Sequence, residues 1–217
     1  MQTDSGAVRI RPVGAPELAE VVRLCAAGMC DNPLHVRVFG ADRAQRLLGL
    51  QRFFAVTSAY VQRHGLLYGA YRGGRLQGVF GLLGPGRCRP APRDWLRLLA
   101  VFRASPSPLG TLALARWLLA WWRHDPPQPH WHLGPLVVVP ELQGSGMAIH
   151  LIATVAAQLP ASQPMAWLET DRLANVRLYS RSASSLRSLR YLLIRVAYLA
   201  LIRKTSCPLY CSSPTNS

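Results

Sequence analysis

Residues 131–159 restrict what the rest of this chain can fold into. They open with Trp131-His132-Leu133-Gly134-Pro135-Leu136-Val137-Val138-Val139-Pro140, pass through Glu141-Leu142-Gln143-Gly144-Ser145-Gly146-Met147-Ala148, and end in an apolar run. Three consecutive β-branched residues, Val137 to Val139, suit a strand covered on both faces. Pro140 has no N–H to donate and stops the ladder. Gly144 and Gly146 permit backbone angles closed to other residues and let a ligand come close to the main chain. From Met147 the apolar residues Ile149, Leu151, Ile152, Val155, Ala156 and Leu159 fall mostly at helical spacing. A strand, a glycine turn and a helix start, in that order, form a site for phosphate. The first helical turn leaves N–H groups unpaired, and the helix dipole favours an anion there.

Two familiar phosphate loops are excluded. The Walker loop needs Gly-Lys-Ser/Thr, whereas the only lysine is Lys204. The dinucleotide fingerprint needs a third glycine, and Gly-x-Gly-x-x-Gly is absent here. Gln143-Gly144-Ser145-Gly146-Met147-Ala148 instead fits Gln/Arg-x-x-Gly-x-Gly/Ala after Val-x-Pro. In this it resembles the coenzyme A pyrophosphate loop of the GNAT N-acyltransferase superfamily. A second stretch strengthens the likeness. Trp167-Leu168-Glu169-Thr170 reads as a short strand and 174–179 as a helix start, with Asn175 and Tyr179 four residues apart on one face. It resembles the family's next motif, in which an Asn contacts coenzyme A and a Tyr one turn later lies near the thioester sulfur. Read locally, Asn175 is a helix cap and Tyr179 a core residue. The resemblance is specific over 131–181 and architectural before it.

The resemblance implies an α/β fold with a GNAT-type mixed, mostly antiparallel central sheet flanked by helices. It implies an N-acetyltransferase that moves an acetyl group from acetyl-coenzyme A directly to a primary amine, the acceptor being a small molecule or a peptide. The turn formed by Gln143, Gly144, Ser145, Gly146, Met147 and Ala148 would hold the pyrophosphate. The end of the strand, from Val137 to Val139, would pair with the pantetheine arm and present an N–H to the thioester oxygen. Asn175 would contact the cofactor, and Tyr179 would protonate the leaving thiolate. Glu141 is the candidate base by location. Glu169, His132 and a water chain are alternatives, since a histidine titrates near neutrality.

Length and composition limit other readings. At 217 residues, half of them apolar, the chain can bury a real core. It has no stretch of about 18–20 uncharged apolar residues, so no spanning helix is expected, and the cytoplasm is the default compartment. Five cysteines, Cys25, Cys30, Cys88, Cys207 and Cys211, show no paired CxxC spacing. Neither a disulfide framework nor a metal is therefore expected. Net charge is +15, and from Leu173 onward there are six Arg, one Lys and no acid. Such a balance suits a polyphosphate ligand, and also nonspecific attraction to nucleic acid or anionic lipid. No sequence-specific nucleic-acid motif is present.

In chain order, 7–11 reads as a strand and 15–29 as a helix broken by Asp31-Asn32-Pro33. A longer helix, 41–64, follows. Segments 66–71 and 76–83 form a hairpin across Arg72-Gly73-Gly74-Arg75, since Gly-Gly supplies the positive φ of a tight turn. Residues 84–92 are a loop by composition. Residues 93–122 are helical with a break near Ser105-Pro106-Ser107-Pro108, and 125–129 form a stiff linker. Trp117, Trp121 and Trp122 fit core packing, a contact in a homodimer, or a wall of an acceptor pocket.

The family pattern stops after Arg181. An aromatic-Gly-Phe turn and two more strands belong there. The chain has Ser182-Ala183-Ser184-Ser185, a basic apolar run and a Ser/Pro/Cys tail. Ser-Ala-Ser can be written TCG-GCT-TCN, which contains GGC-TTC, Gly-Phe, one base out of step. The expected organisation is therefore an acyltransferase domain, 1–181, and an atypical basic tail, 182–217. That tail is either divergent or out of frame, with the last strands missing or replaced and 186–202 able to form a helix. A coenzyme A-binding pseudoenzyme, a frameshifted product, or a basic nucleic-acid- or membrane-associated protein are the alternatives to an active enzyme.

Overall fold

The computed structural model describes residues 7–105, 107–160, 165–170, 175, 179, 191–196 and 209–211. Strands β1 (Arg9–Pro12), β2 (Gly65–Arg72), β3 (Arg75–Leu83), β4 (Trp131–Val138), β5 (Met165–Thr170), β6 (Tyr191–Val196) and β7 (Leu209–Cys211) lie side by side in chain order. The pairs from β1 to β4 are antiparallel, β4–β5 and β5–β6 are parallel, and β6–β7 is antiparallel. The helices are α1 (Leu18–Met29), α2 (Pro33–Phe39), α3 (Arg43–His64), α4 (Pro92–Leu98), α5 (Pro108–His124) and α6 (Met147–Ala156). No helix among the described residues is long and apolar enough to cross a membrane.

Local chemistry sets these boundaries. Asp42 caps α3 by accepting from the Gln45 N–H at 2.7 Å, and Ser107 caps α5 by accepting from Gly110 at 3.1 Å. Pro33, Pro92 and Pro108 each open a helix, where a missing N–H costs nothing. Gly73 and Gly74, at φ 55° and 76°, make the β2–β3 turn.

The sheet has two covered faces, and side-chain alternation assigns residues to each. Val79 and Val137 join α1, α2, α3 and α5 in one core. Their neighbours Phe80 and Val138 join α6 residues Leu151, Ile152 and Val155 in the other. The expectation of a strand covered on both faces is met at β4. A buried arginine organises the roof over the first face. Arg46 donates to the carbonyls of Cys30 (2.7 Å), Gly40 (2.8 Å) and Ala41 (2.9 Å), and to Asp31 Oδ1 (3.1 Å). It thereby ties the α1–α2 and α2–α3 turns to α3.

The end of the chain departs from expectation in one respect. Residues 191–196 are not part of a helix but form β6, which pairs with β5 over all six of its residues. With β7 added, the sheet continues where two further strands belong, so replacement rather than loss describes this end. The run Tyr191-Leu192-Leu193-Ile194-Arg195-Val196 is rich in the residues of a strand with both neighbours occupied. The remainder of 182–217 lies outside the described residues.

Candidate functional site

The site starts from an irregularity in β4. Phe80 faces Leu136 and Leu82 faces Leu133, so β4 carries one extra residue at Gly134-Pro135. Such a bulge bends a strand and interrupts its ladder. On its other side β4 pairs with β5 only at Trp131 and His132. Beyond His132 the two parallel strands part, and one edge of β4 is left facing a cleft.

The ladder decides which backbone groups that edge offers. The Val139 N–H donates to the Gln77 carbonyl at 2.9 Å. Antiparallel pairs alternate between bonded and non-bonded. Val137 therefore also turns its backbone toward β3, while Leu136 and Val138 turn theirs away, into the cleft. This corrects the expectation for Val137 and Val139, whose N–H groups belong to the sheet. Gln143 supports the assignment, since its side-chain amide donates to the outward Val138 carbonyl at 3.2 Å and ties the turn to the strand.

Past β4 the chain makes a 3₁₀ turn at Pro140–Leu142, then rises through Gly144 (φ 80°) and Gly146 (φ 87°) into α6. A Cβ at either glycine would meet no atom within 4 Å, so glycine is required there by backbone angle and not by crowding. The first α6 bond runs from the His150 N–H to the Gly146 carbonyl at 3.0 Å. The N–H groups of Met147, Ala148 and Ile149 thus precede the helical ladder. Met147 buries its side chain in the α6 core, so it can offer only its backbone. Ser145 differs from expectation. Its N–H and hydroxyl both turn back onto the Leu142 carbonyl, at 3.3 and 2.7 Å, and so brace the turn.

Two adjoining cavities result. The first, about 240 Å³, lies between the β4 edge, the turn and the end of α1, and is lined by Val137, Gln143, Gly144, Gly146 and Ala148 among others. The second, about 200 Å³, is walled by Phe53, Phe54, Trp117, Trp121, His132 and Glu169. Asn175 and Tyr179, both in helical conformation, line both cavities and mark their junction, as do Met29, Asn32 and Leu136. Asn175 donates to the Thr170 hydroxyl at 3.1 Å, which orients it at the end of β5. Burial pushes the Tyr179 phenol up, so it is protonated at neutral pH. Glu141 is exposed on the 3₁₀ turn and lines neither cavity. Of the Trp residues, Trp117 stacks on Phe53 at 5.3 Å and, with Trp121, walls the second cavity.

Sequence reading missed the far wall. Gly28 and Met29 end α1, and Asn32 stands in the break after it, yet all three line the first cavity. A Cβ on Gly28 would collide with Val137, so only glycine lets α1 lie this close to β4. A glycine in the last turn of an amphipathic helix was the available signal.

The splayed parallel strands, the glycine turn and the helix N-terminus lie in a fold that solved N-acetyltransferases share. No family model matches the sequence, and no curated protein sequence matches it. Solved structures do match. The chain aligns with a histone acetyltransferase HPA2 and related acetyltransferase from Corynebacterium glutamicum at TM-score 0.58 and 17% identity, over 81% of this chain and 83% of that one. It aligns with the polyamine N-acetyltransferase of Drosophila melanogaster at TM-score 0.53 and 17% identity, over 96% and 95%. A GNAT family acetyltransferase from Brucella melitensis in complex with acetyl-CoA covers 97% of this chain and 94% of its own at 14% identity, with TM-score 0.41. The shared property is the fold.

Proposed function

We propose that the chain transfers an acetyl group from acetyl-coenzyme A to the primary amine of a small acceptor. The observation that carries this reading is the junction of the two cavities. One has open backbone donors and a helix N-terminus, the other is aromatic with one carboxylate, and Asn175 and Tyr179 line both. The pyrophosphate takes the N–H groups of Gly144, Gly146, Met147 and Ala148, where the α6 dipole favours it. The pantetheine amides pair with the edge of β4 at Leu136 and Val138, and the Val138 N–H polarises the thioester oxygen as negative charge develops. Gln143 and Ser145 hold the turn in place.

The acceptor nitrogen attacks the thioester carbon, forming the C–N bond. Collapse of the tetrahedral intermediate breaks the C–S bond, and Tyr179 gives its proton to the departing thiolate. The amine's proton passes to a base on the acceptor side. Glu169 at the end of β5 suits that role better than the exposed Glu141, because it lines the second cavity. Aromatic walls and one carboxylate favour a compact cation over an extended peptide. The Drosophila enzyme named above forms N-acetylagmatine, so its acceptor is a small cationic amine. The residues assigned roles all lie in 1–181, which we take as the acyl-transfer unit, with 182–217 extending its sheet.

The test is thiol release from acetyl-coenzyme A across a panel of primary amines, diamines and basic peptides. Turnover of small amines, and its loss in Glu169→Gln with cofactor affinity retained, is the expected result. Tight binding of acetyl-coenzyme A without turnover of any amine would make the chain a cofactor-binding protein instead. No binding would remove the reading altogether.

A further inference from the structure

At the opposite end of β4 from the coenzyme turn, four metal-ligating side chains meet. Cys88 comes from the loop after β3, Asp125 from the end of α5, His130 from the linker and His132 from β4. Their ligand atoms all lie within 4.8 Å of one another. We propose that Cys88 Sγ, Asp125 Oδ1, His130 Nε2 and His132 Nδ1 form a closed, four-coordinate zinc site.

His130 sets the strongest constraint. Its Nδ1 lies 2.8 Å from the Gln128 carbonyl, an acceptor, so Nδ1 carries a proton. In the neutral ring Nε2 is then a lone pair. Yet Nε2 points at Asp125 Oδ1, 3.1 Å away, and at Cys88 Sγ, 3.7 Å away. A lone pair facing a carboxylate needs a cation between them. A proton on Nε2 answers only that one contact. It does nothing for His132 Nδ1, which is buried, has no hydrogen-bond partner among the described residues and stands 3.8 Å from the same Oδ1. One divalent ion at the centre satisfies all four atoms.

Geometry and charge agree. Zinc bonds of about 2.3 Å to sulfur and 2.0–2.1 Å to nitrogen or oxygen set tetrahedral ligand atoms roughly 3.3–3.6 Å apart. Three of the six separations, 3.1, 3.7 and 3.8 Å, need little adjustment, and the others, within 4.8 Å, close by about 1 Å at most when an ion draws the ligands in. The Gln128 carbonyl plays the outer-shell part usual for a ligating histidine, fixing tautomer and ring orientation. A dication converts the Cys88 thiol to thiolate and takes the neutral His132 imidazole as it stands. Thiolate, carboxylate and Zn²⁺ sum to a neutral centre, as a buried site requires. One sulfur with two imidazoles suits zinc over magnesium or calcium.

Four protein ligands leave no open position, so the ion is structural. It clasps the β3–α4 loop and the α5–β4 connection to β4. Trp121 packs edge-on to His132 at 4.9 Å, and both wall the second cavity. The clasp therefore fixes that wall, whatever the cavity accepts, and the assignment does not depend on the acetyltransferase reading.

The experiment loads the full chain with Zn²⁺, dialyses it against metal-free buffer and measures metal per chain, then records X-ray absorption. About one equivalent, with one sulfur and three nitrogen or oxygen neighbours at the distances above, is expected. In the Co²⁺ form a thiolate charge-transfer band and strong tetrahedral d–d bands should appear. Cys88→Ser should abolish the thiolate band and weaken Zn²⁺ binding by more than the roughly 10- to 100-fold that an outer-shell change costs. Cys207→Ser with Cys211→Ser should leave both unchanged. Absence of retained zinc, an all-oxygen shell, or a thiolate band that survives Cys88→Ser would overturn the proposal. The wild-type absorption measurement decides the matter even if Cys88→Ser does not fold.

Discussion

The coenzyme turn and the Cys88 cluster sit at opposite ends of the same strand, yet they are encoded in different ways. The turn is contiguous. Gln143 to Ala148 are neighbours in sequence, and their geometry follows from two glycines and a helix start. The cluster adds the distant Cys88 to Asp125, His130 and His132, and the packing of the β3–α4 loop against β4 brings that thiol to the other three. The comparison teaches that backbone chemistry is written locally, where spacing reveals it. Side-chain constellations are written by the fold. Substitutions in each class test that distinction.

The largest effect belongs to Tyr179, a side chain whose role depends on where tertiary structure places it. If it protonates the thiolate, Tyr179→Phe lowers kcat by about 10²- to 10⁴-fold while the KM for acetyl-coenzyme A changes little. Single-turnover kinetics on the preferred amine measure this. An unchanged chemical step would reduce Tyr179 to packing and leave the backbone turn as the main element of the site.

Arg46 tests the assembled class without involving catalysis. Its guanidinium serves three carbonyls and Asp31 from within a buried position. Arg46→Met keeps the stem but strands those acceptors, at a cost of about 2–4 kcal/mol. Urea denaturation measures the loss. A loss below about 1 kcal/mol would mean that water replaces the guanidinium in the turns.

Gly146 tests the local class. At φ 87° a branched side chain is strained by roughly 1–3 kcal/mol, so Gly146→Val loses that much stability and about 10- to 100-fold in affinity for acetyl-coenzyme A. Calorimetric titration checks both halves. Lost stability with unaltered affinity would confine the glycine to folding.

The same distinction explains what was legible. The order of strands through β5, the hairpin at Gly73-Gly74 and the α6 start were readable because periodicity, proline and glycine act within a few residues, whereas the short helix α2 was not separated from the break before it. Which N–H groups of β4 face the cleft was not. That depends on the register with β3, and a one-residue change reverses it, so of the expected stretch from Val137 to Val139 only Val138 faces outward, with Leu136 beside it. Residues 191–196 were misread for a related reason. A short apolar run carries no period of its own, and its pairing with β5 decides in favour of strand. Metal ligation was discounted because the cysteines lack paired spacing, a rule that serves sites built within one loop.

The smallest effect comes from a contact that is local in sequence but exposed. The Arg11 guanidinium donates to both Glu17 oxygens, at 2.8 and 2.7 Å, and the Gly14 N–H donates to Glu17 Oε2 at 2.8 Å. The Arg11 hydrogen bonds first, and the Gly14 N–H second, hold the Glu17 carboxyl down at about 2. An unfolded glutamate titrates near about 4.3. The folded carboxylate is therefore the stronger acid, and the stability it contributes is fully present above the unfolded value. That stability is lost as pH falls toward about 2. Glu17→Gln should lower the Tm slightly at pH 6, and the difference from wild type should close as the pH approaches the folded value. Because the pair is exposed, about 1 M salt should shrink the difference at every pH. A difference that persists undiminished in acid would assign the effect to the geometry of the Gly14 turn and not to charge. Glu17 would then belong with Ser145 among residues that serve the backbone alone.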